Sequence, residues 1–304
     1  MSLSSADYTV VLNDDLSLDP TAIEILISYL EQHPQAALAT PIVLMHSRPD
    51  VMNTAGNRLS YCGLPSCRGK GQSRRLFQHS GPVAAVAGCA FAIRKTTLEE
   101  IGGFSQDFDQ YPTGWHSSLE DADLSLRAWM AGYEVHYVAE SIAYHRYSQR
   151  GMNAQRFSAI EFGRILLLLR NLERKTLFRL IPLMAATEAG ALLYAALRGP
   201  SWLLARLSIP CWVFLHRRDI STMRCNIQRL RKVHDSQIFW HLDDQIEFAG
   251  ALGGTRAMRG FERMVAAALR TYRLVVLGRH YARLDDRDNL PRRGPERRIR
   301  FRDL

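Results

Sequence analysis

The opening thirty residues constrain the fold more than any other part of the chain. Tyr8 to Leu12 is a β-branched apolar run that stops at Asn13-Asp14-Asp15, and Asp19-Pro20 then opens an amphipathic segment with Ala22, Ile25, Leu26, Tyr29 and Leu30 on one face. Strand, acidic loop and helix in that order are the unit of an α/β sheet. In open sheets of this kind ligands bind outside the carboxyl ends of the strands, so Asn13, Asp14 and Asp15 lie where a site is expected. Hard oxygen donors at i and i+2 can face one cation, and Mg2+ or Mn2+ typically takes one or two protein carboxylates together with substrate phosphates. An Asx-rich approach to the helix would use the same residue types, but Asp19 is already placed to cap that helix.

A second acidic cluster follows about a hundred residues later. Ser117-Ser118-Leu119-Glu120-Asp121-Ala122-Asp123 leads into Leu124-Ser125-Leu126-Arg127, with Ser117 and Glu120 at capping-box spacing and Gly132 where a helix would end. The positive end of such a helix favours ionised carboxylates, so Asp121 is expected to be a charged base at neutral pH. The competing reading is structural: Asp123 and Arg127 are four apart, the spacing of an ordinary surface ion pair.

Between the clusters the pattern alternates. Ala36 to Leu44 reads as a strand and Val51 to Ser60 as another, with Gly56 or Asn57 at a turn. Cys62 to Gln78, rich in glycine and arginine, reads as a mobile solvated loop without P-loop spacing. Val83 to Ile93 reads as a long strand interrupted by Gly88, a position that suggests close backbone approach by a ligand. Thr96 to Ile101 makes a short helix, Phe104 to His116 is irregular and includes Trp115, and strands at Tyr133 to Val138 and Ser141 to His145 close the half.

Charge divides the 304 residues. Residues 1–145 hold 9 Lys+Arg against 16 Asp+Glu, whereas residues 146–304 hold 30 against 14, so the net +9 hides an acidic half and a strongly basic one. Five scattered cysteines form no C-x-x-C pair, which fits idle thiols in a reducing cytosol. The first seven residues read as too short and polar for a signal peptide. From Met152 the pattern is helical. Leu180 to Leu197 and Trp202 to Leu215 are apolar but interrupted by Pro182, Glu188, Arg206 and Pro210, short of a clean membrane span and closer to segments lying on an anionic membrane surface. Packing of these helices on the sheet is the alternative. The arginines come with no recognised nucleic-acid motif, so nucleic acid is not expected as a partner. Residues 283–304 are charged and poor in apolar groups, and disorder is expected there.

Taken together, Leu12-Asn13-Asp14-Asp15, Ala87-Gly88-Cys89-Ala90-Phe91, Ile101-Gly102-Gly103-Phe104, Glu120-Asp121-Ala122-Asp123-Leu124, Ala131-Gly132-Tyr133 and His145 resemble a family 2 glycosyltransferase of GT-A fold, closest in flavour to the bacterial rhamnosyltransferase-like subgroup. The resemblance implies an α/β class: a partial, Rossmann-like GT-A mixed sheet over residues 1–150, then a mostly helical basic region over 151–282. It also implies inverting transfer from a nucleotide-sugar donor to a glycan or lipid-linked acceptor at the inner face of the cell membrane, in cell-envelope assembly. Position by position, Asp15 and Asn13 match the metal-binding D-x-D element for Mg2+ or Mn2+, and His145 matches a histidine that completes the metal shell in some members. Asp121 matches the catalytic base. Glu120 and Trp115 match the acceptor side, with Asn13, Asp14 and Gly88 against substrate. Members of the family begin with a nucleotide-binding βαβ half that this sequence does not show, so the chain reads as truncated or as starting late. The alternative is a non-catalytic remnant that binds a membrane surface or a partner.

Overall fold

The computed structural model describes residues 6–109, 119–146, 151–246, 256–278 and 281. The first half contains β1 (Tyr8–Leu12), β2 (Leu16–Leu18), α1 (Ala22–Gln32), β3 (Ala36–Met45), β4 (Arg48–Thr54), β5 (Asn57–Leu59), β6 (Pro65–Cys67), β7 (Gly81–Pro82), β8 (Ala90–Arg94), α2 (Lys95–Ile101), α3 (Glu120–Met130) and β9 (Glu134–His145). Helices α4 (Ala154–Asn171), α5 (Arg174–Arg198), α6 (Pro200–Leu215), α7 (Arg217–Gln228) and α8 (Asp235–Ile238) follow, and a further helix spans Arg256–Tyr272. The class is mixed α/β with a helical C-terminal region, as expected from the sequence.

β3 is the centre of the sheet because every one of its ten residues is buried. Strands run in the order β1-β8-β3-β9-β2, with β4 added to β3 and β7 to β9. β3 and β9 are parallel, and the other pairings are antiparallel. The pleat then sorts side chains by face. Leu26 and Leu30 of α1 pack with Ala36, Ala39, Ala92 and Val138 on one side. Leu38, Phe91, Ile93, Val135 and Tyr137 face the other side, in a core that continues through α3 and α4 to Leu180, Ile209 and Ile220. The helical region therefore shares the core of the sheet. Charged groups also join them: Arg127 of α3, only 2 % exposed, binds Asp123 at 2.8 Å and the carbonyls of Ile101, Gly102 and Gly103 after α2. Asn171 and Arg170 of α4 reach the same Asp123 carboxylate.

Four local expectations are corrected. The residues from Val83 to Ile93 do not form one strand: the chain turns at Gly88-Cys89 and only Ala90–Arg94 enters the sheet. Segment 62–78 is structured, with β6 paired to β5 and with Arg68, Gly71 and Gln72 tied by backbone bonds to Ala55, Gly56 and Met52. A Cβ on Gly69 would lie 2.5 Å from the Phe77 ring, so the glycine there serves packing. Asp19 does not cap α1; Thr21 is the N-cap residue, and Asp19 accepts its hydroxyl at 3.0 Å. Finally, α5 runs through Pro182 as one 25-residue helix, long and apolar enough to cross a membrane.

Candidate active site

The acidic turn after β1 is pinned at both ends. Asn13 N–H donates to the Cys89 carbonyl at 2.9 Å, Arg146 N–H donates to the Asp15 carbonyl at 3.0 Å, and β2 then pairs with β9 so that Leu16 lies opposite His145. This register brings His145 Nε2 to 3.1 Å from Asp15 Oδ2. Among the described residues nothing donates to Asp15 Oδ1, which is buried. Asn13 lines a cavity of about 610 Å³, as does His145; Asp14 is exposed and is not part of the wall.

The opposite wall is the start of α3. Glu120 and Asp121 line the cavity, together with Gly88, Cys67, Cys89, Asn53, Thr54, Asn57, Phe104 and Arg156. Asp121 is 9 % exposed. Its Oδ2 accepts from Gly88 N–H at 2.9 Å and Asn57 Nδ2 at 3.0 Å, and Oδ1 accepts from Ala122 N–H at 2.7 Å. Burial, reinforced by the neighbouring Glu120 carboxylate, pushes the Asp121 carboxyl up to about 7 against these three donors. The expectation of a fully charged base at neutral pH is corrected accordingly: desolvation outweighs the helix terminus. The capping box is corrected too, because α3 begins at Glu120 with Leu119 as N-cap residue and no side-chain cap.

Gly88 has a different partner from the one expected. A Cβ there would sit 2.9 Å from Asp121 Oδ2, so its bare backbone admits the carboxylate of this chain. Cys89, between the two acidic walls, is held protonated: burial raises its thiol to about 12, with Asp121 and Asp15 both adding to the shift. Asn53 and Arg156 carry no site signal in the sequence, Asn57 reads only as a turn residue and Cys67 only as an idle thiol. The polar run Asn53-Thr54-Ala55-Gly56-Asn57 was the available signal, visible only as a turn. Trp115 lies outside the described residues.

Among the described residues no group of three or more His, Cys, Asp and Glu gathers as a closed metal cage. The residues present nonetheless fit a divalent cation held in part by substrate. Adjacent ligands on an octahedral ion with bonds near 2.1 Å lie about 3 Å apart, the spacing between His145 Nε2 and Asp15 Oδ2, and the orphaned Asp15 Oδ1 is a second oxygen in place. Such an ion usually keeps several positions for water and phosphate.

Residues 3–164 match the model of a family described as glycosyltransferase-like family 2, just over half of the chain. No curated protein matches. Among solved structures, the crystal structure of GalNAc-T7 with UDP, GalNAc and Mn2+ is similar over 54 % of this chain and 34 % of that one, at 12 % identity and a TM-score of 0.36. The chain thus spans about a third of that protein's length.

Proposed function

The chain belongs to the glycosyltransferase-like family 2, and from that premise we propose that it transfers a sugar from a nucleotide-diphosphate donor to an acceptor hydroxyl with inversion at the anomeric carbon. One observation carries the reading: a single cavity is walled on one side by Asn13 and by His145, which holds Asp15, and on the other by Glu120 and Asp121. Asp121 takes the acceptor's proton while the acceptor oxygen bonds to the anomeric carbon. The carbon–oxygen bond to the diphosphate breaks, and its electron pair leaves on the phosphate. A base is most effective when its pKa lies near the working pH, which is where burial and Glu120 put Asp121. Asp15 and His145, with Asn13 beside them, would hold the divalent cation, which when bound supplies charge stabilisation to the departing diphosphate. Gly88 and Asn57 orient the base, and Glu120 faces the acceptor.

The acceptor in this reading is a lipid-linked or cell-envelope glycan reached at the inner face of the membrane. Support comes from α5, of whose 25 residues only Thr176, Leu180 and Ala195 are buried. Phe178, Ile181, Leu193 and Leu197 of α5 and Leu204, Phe214 and Leu215 of α6 are exposed beside Arg198 and Arg217, the composition of a peripheral membrane face. A panel of nucleotide-diphosphate sugars with Mn2+ and a polyprenyl-phosphate-linked acceptor tests the activity. Release of nucleoside diphosphate that EDTA abolishes, with an inverted product anomer by NMR, is expected; no turnover on any donor, or a retained anomer, would refute it. Sedimentation with anionic liposomes tests the surface, and Phe178→Ser with Leu197→Ser should weaken it about tenfold while the melting temperature holds.

A further inference from the structure

We propose that Asn53 is the positioning residue that sets His145 for a cation and offers a hydrogen bond to the diphosphate that shares it; the assignment rests on the reading above. Asn53 lies near the end of β4, is 4 % exposed and lines the cavity. Its Oδ1 stands 3.3 Å from His145 Nδ1. An amide oxygen only accepts, so Nδ1 carries the hydrogen in this contact, which sets the plane of the ring and turns Nε2 toward Asp15 Oδ2, 3.1 Å away. The arrangement is that of a ligating histidine whose other nitrogen is held by an acceptor, which fixes tautomer and ring orientation.

The other end of the same amide has no such use among the described residues. Among the described residues Asn53 Nδ2 is buried with no hydrogen-bond partner, an unfavourable state for a donor unless a ligand accepts from it. Asp15 Oδ1, in the residue that meets the other nitrogen of the His145 ring, is likewise buried and without a partner among the described residues. A cavity-lining donor left in that state suits an anionic oxygen, and a phosphate shared with the cation that Asp15 and His145 would hold supplies one. Thr54 and Asn57, which neighbour Asn53 on the wall, do not duplicate it. The Thr54 hydroxyl is used by the Gly56 carbonyl, and Asn57 Nδ2 is spent on Asp121.

The two roles separate by substitution, and calorimetry on the full chain reads both. Mn2+ alone is titrated first, then inorganic pyrophosphate at saturating Mn2+. Asn53→Ala should weaken Mn2+ binding about 10- to 100-fold, the usual effect of removing such an outer partner. Asn53→Asp, nearly isosteric, keeps an acceptor on Nδ1 and should hold Mn2+ within a few-fold of wild type, yet lose pyrophosphate at least tenfold. Nitrogen-15 NMR of the metal-free protein should place the His145 ring hydrogen on Nδ1. Wild-type Mn2+ affinity in Asn53→Ala, wild-type pyrophosphate affinity in Asn53→Asp, or a ring hydrogen on Nε2 with Asn53 donating would each overturn the assignment alone. A wild-type chain that binds no Mn2+ would overturn the metal reading of the site and the assignment with it.

Discussion

Asp121 and Asp123 lie two residues apart on the first turn of α3, and they do opposite things. Asp123 is fully buried between Arg127 at 2.8 Å, Asn171 at 2.8 Å and Arg170 at 3.7 Å, with the arginines continuing to the carbonyls after α2 and to Asp107. Asp121 is almost as buried, but its partners are two backbone N–H groups and one amide, and its charged neighbour is another carboxylate. A buried carboxylate with a cation is a fastener; one without a cation is a group ready to take a proton. The cation decides the role, and local sequence does not show where it is.

The largest break in this contrast comes from exchanging the acids one at a time. Asp121→Asn should lower turnover by about 10²- to 10⁴-fold, the usual range for a general base, with little change in the urea midpoint. Arg127→Met should do the reverse. It leaves Asp123 buried with a weakened counter-charge, and a loss of about 3–5 kcal/mol is expected by urea denaturation, while turnover per folded molecule stays within a few-fold.

A smaller effect is the pH dependence of stability in the metal-free chain. The folded Asp121 carboxyl is raised to about 7 from an ordinary 3.8, so between those values the folded state holds more proton than the unfolded one. Stability must then fall as pH rises from about 4 to about 7 and level off above, by something on the order of 1–4 kcal/mol. The slope should be missing from Asp121→Asn in paired thermal melts across that window. Smallest of all, Gly88→Ala places a methyl 2.9 Å from Asp121 Oδ2 and should cost about 1–3 kcal/mol by displacing the base, measured as a lower melting temperature together with reduced turnover.

Legibility followed the range of the interactions. β1, its acidic turn, α1 and the largely apolar β3 could be read directly, because each is set by a pattern within a dozen residues. The two acidic clusters were legible as site candidates, but their environments were not. Ser117 and Glu120 have capping spacing, yet the helix begins one residue after Leu119, and the Asp121 carboxylate itself meets the Ala122 N–H. Asn53 and Asn57 reach partners 92 and 64 residues away, a separation no local pattern reports. Pro182 and Glu188 looked like breaks in an apolar run. Glu188 is paired with Arg164 and Arg206, so its charge is answered by neighbouring helices and α5 continues past both residues.

The most direct test of the cavity as a place where a proton is withdrawn is the pH profile of turnover at saturating Mn2+, in wild type and in Asp121→Asn. A wild-type rate that climbs about tenfold per pH unit below the base's pKa and then levels, with a residual Asp121→Asn rate that lacks this rise, is the expected result. An Asp121→Asn protein that turns over at the wild-type rate with the same profile would contradict it.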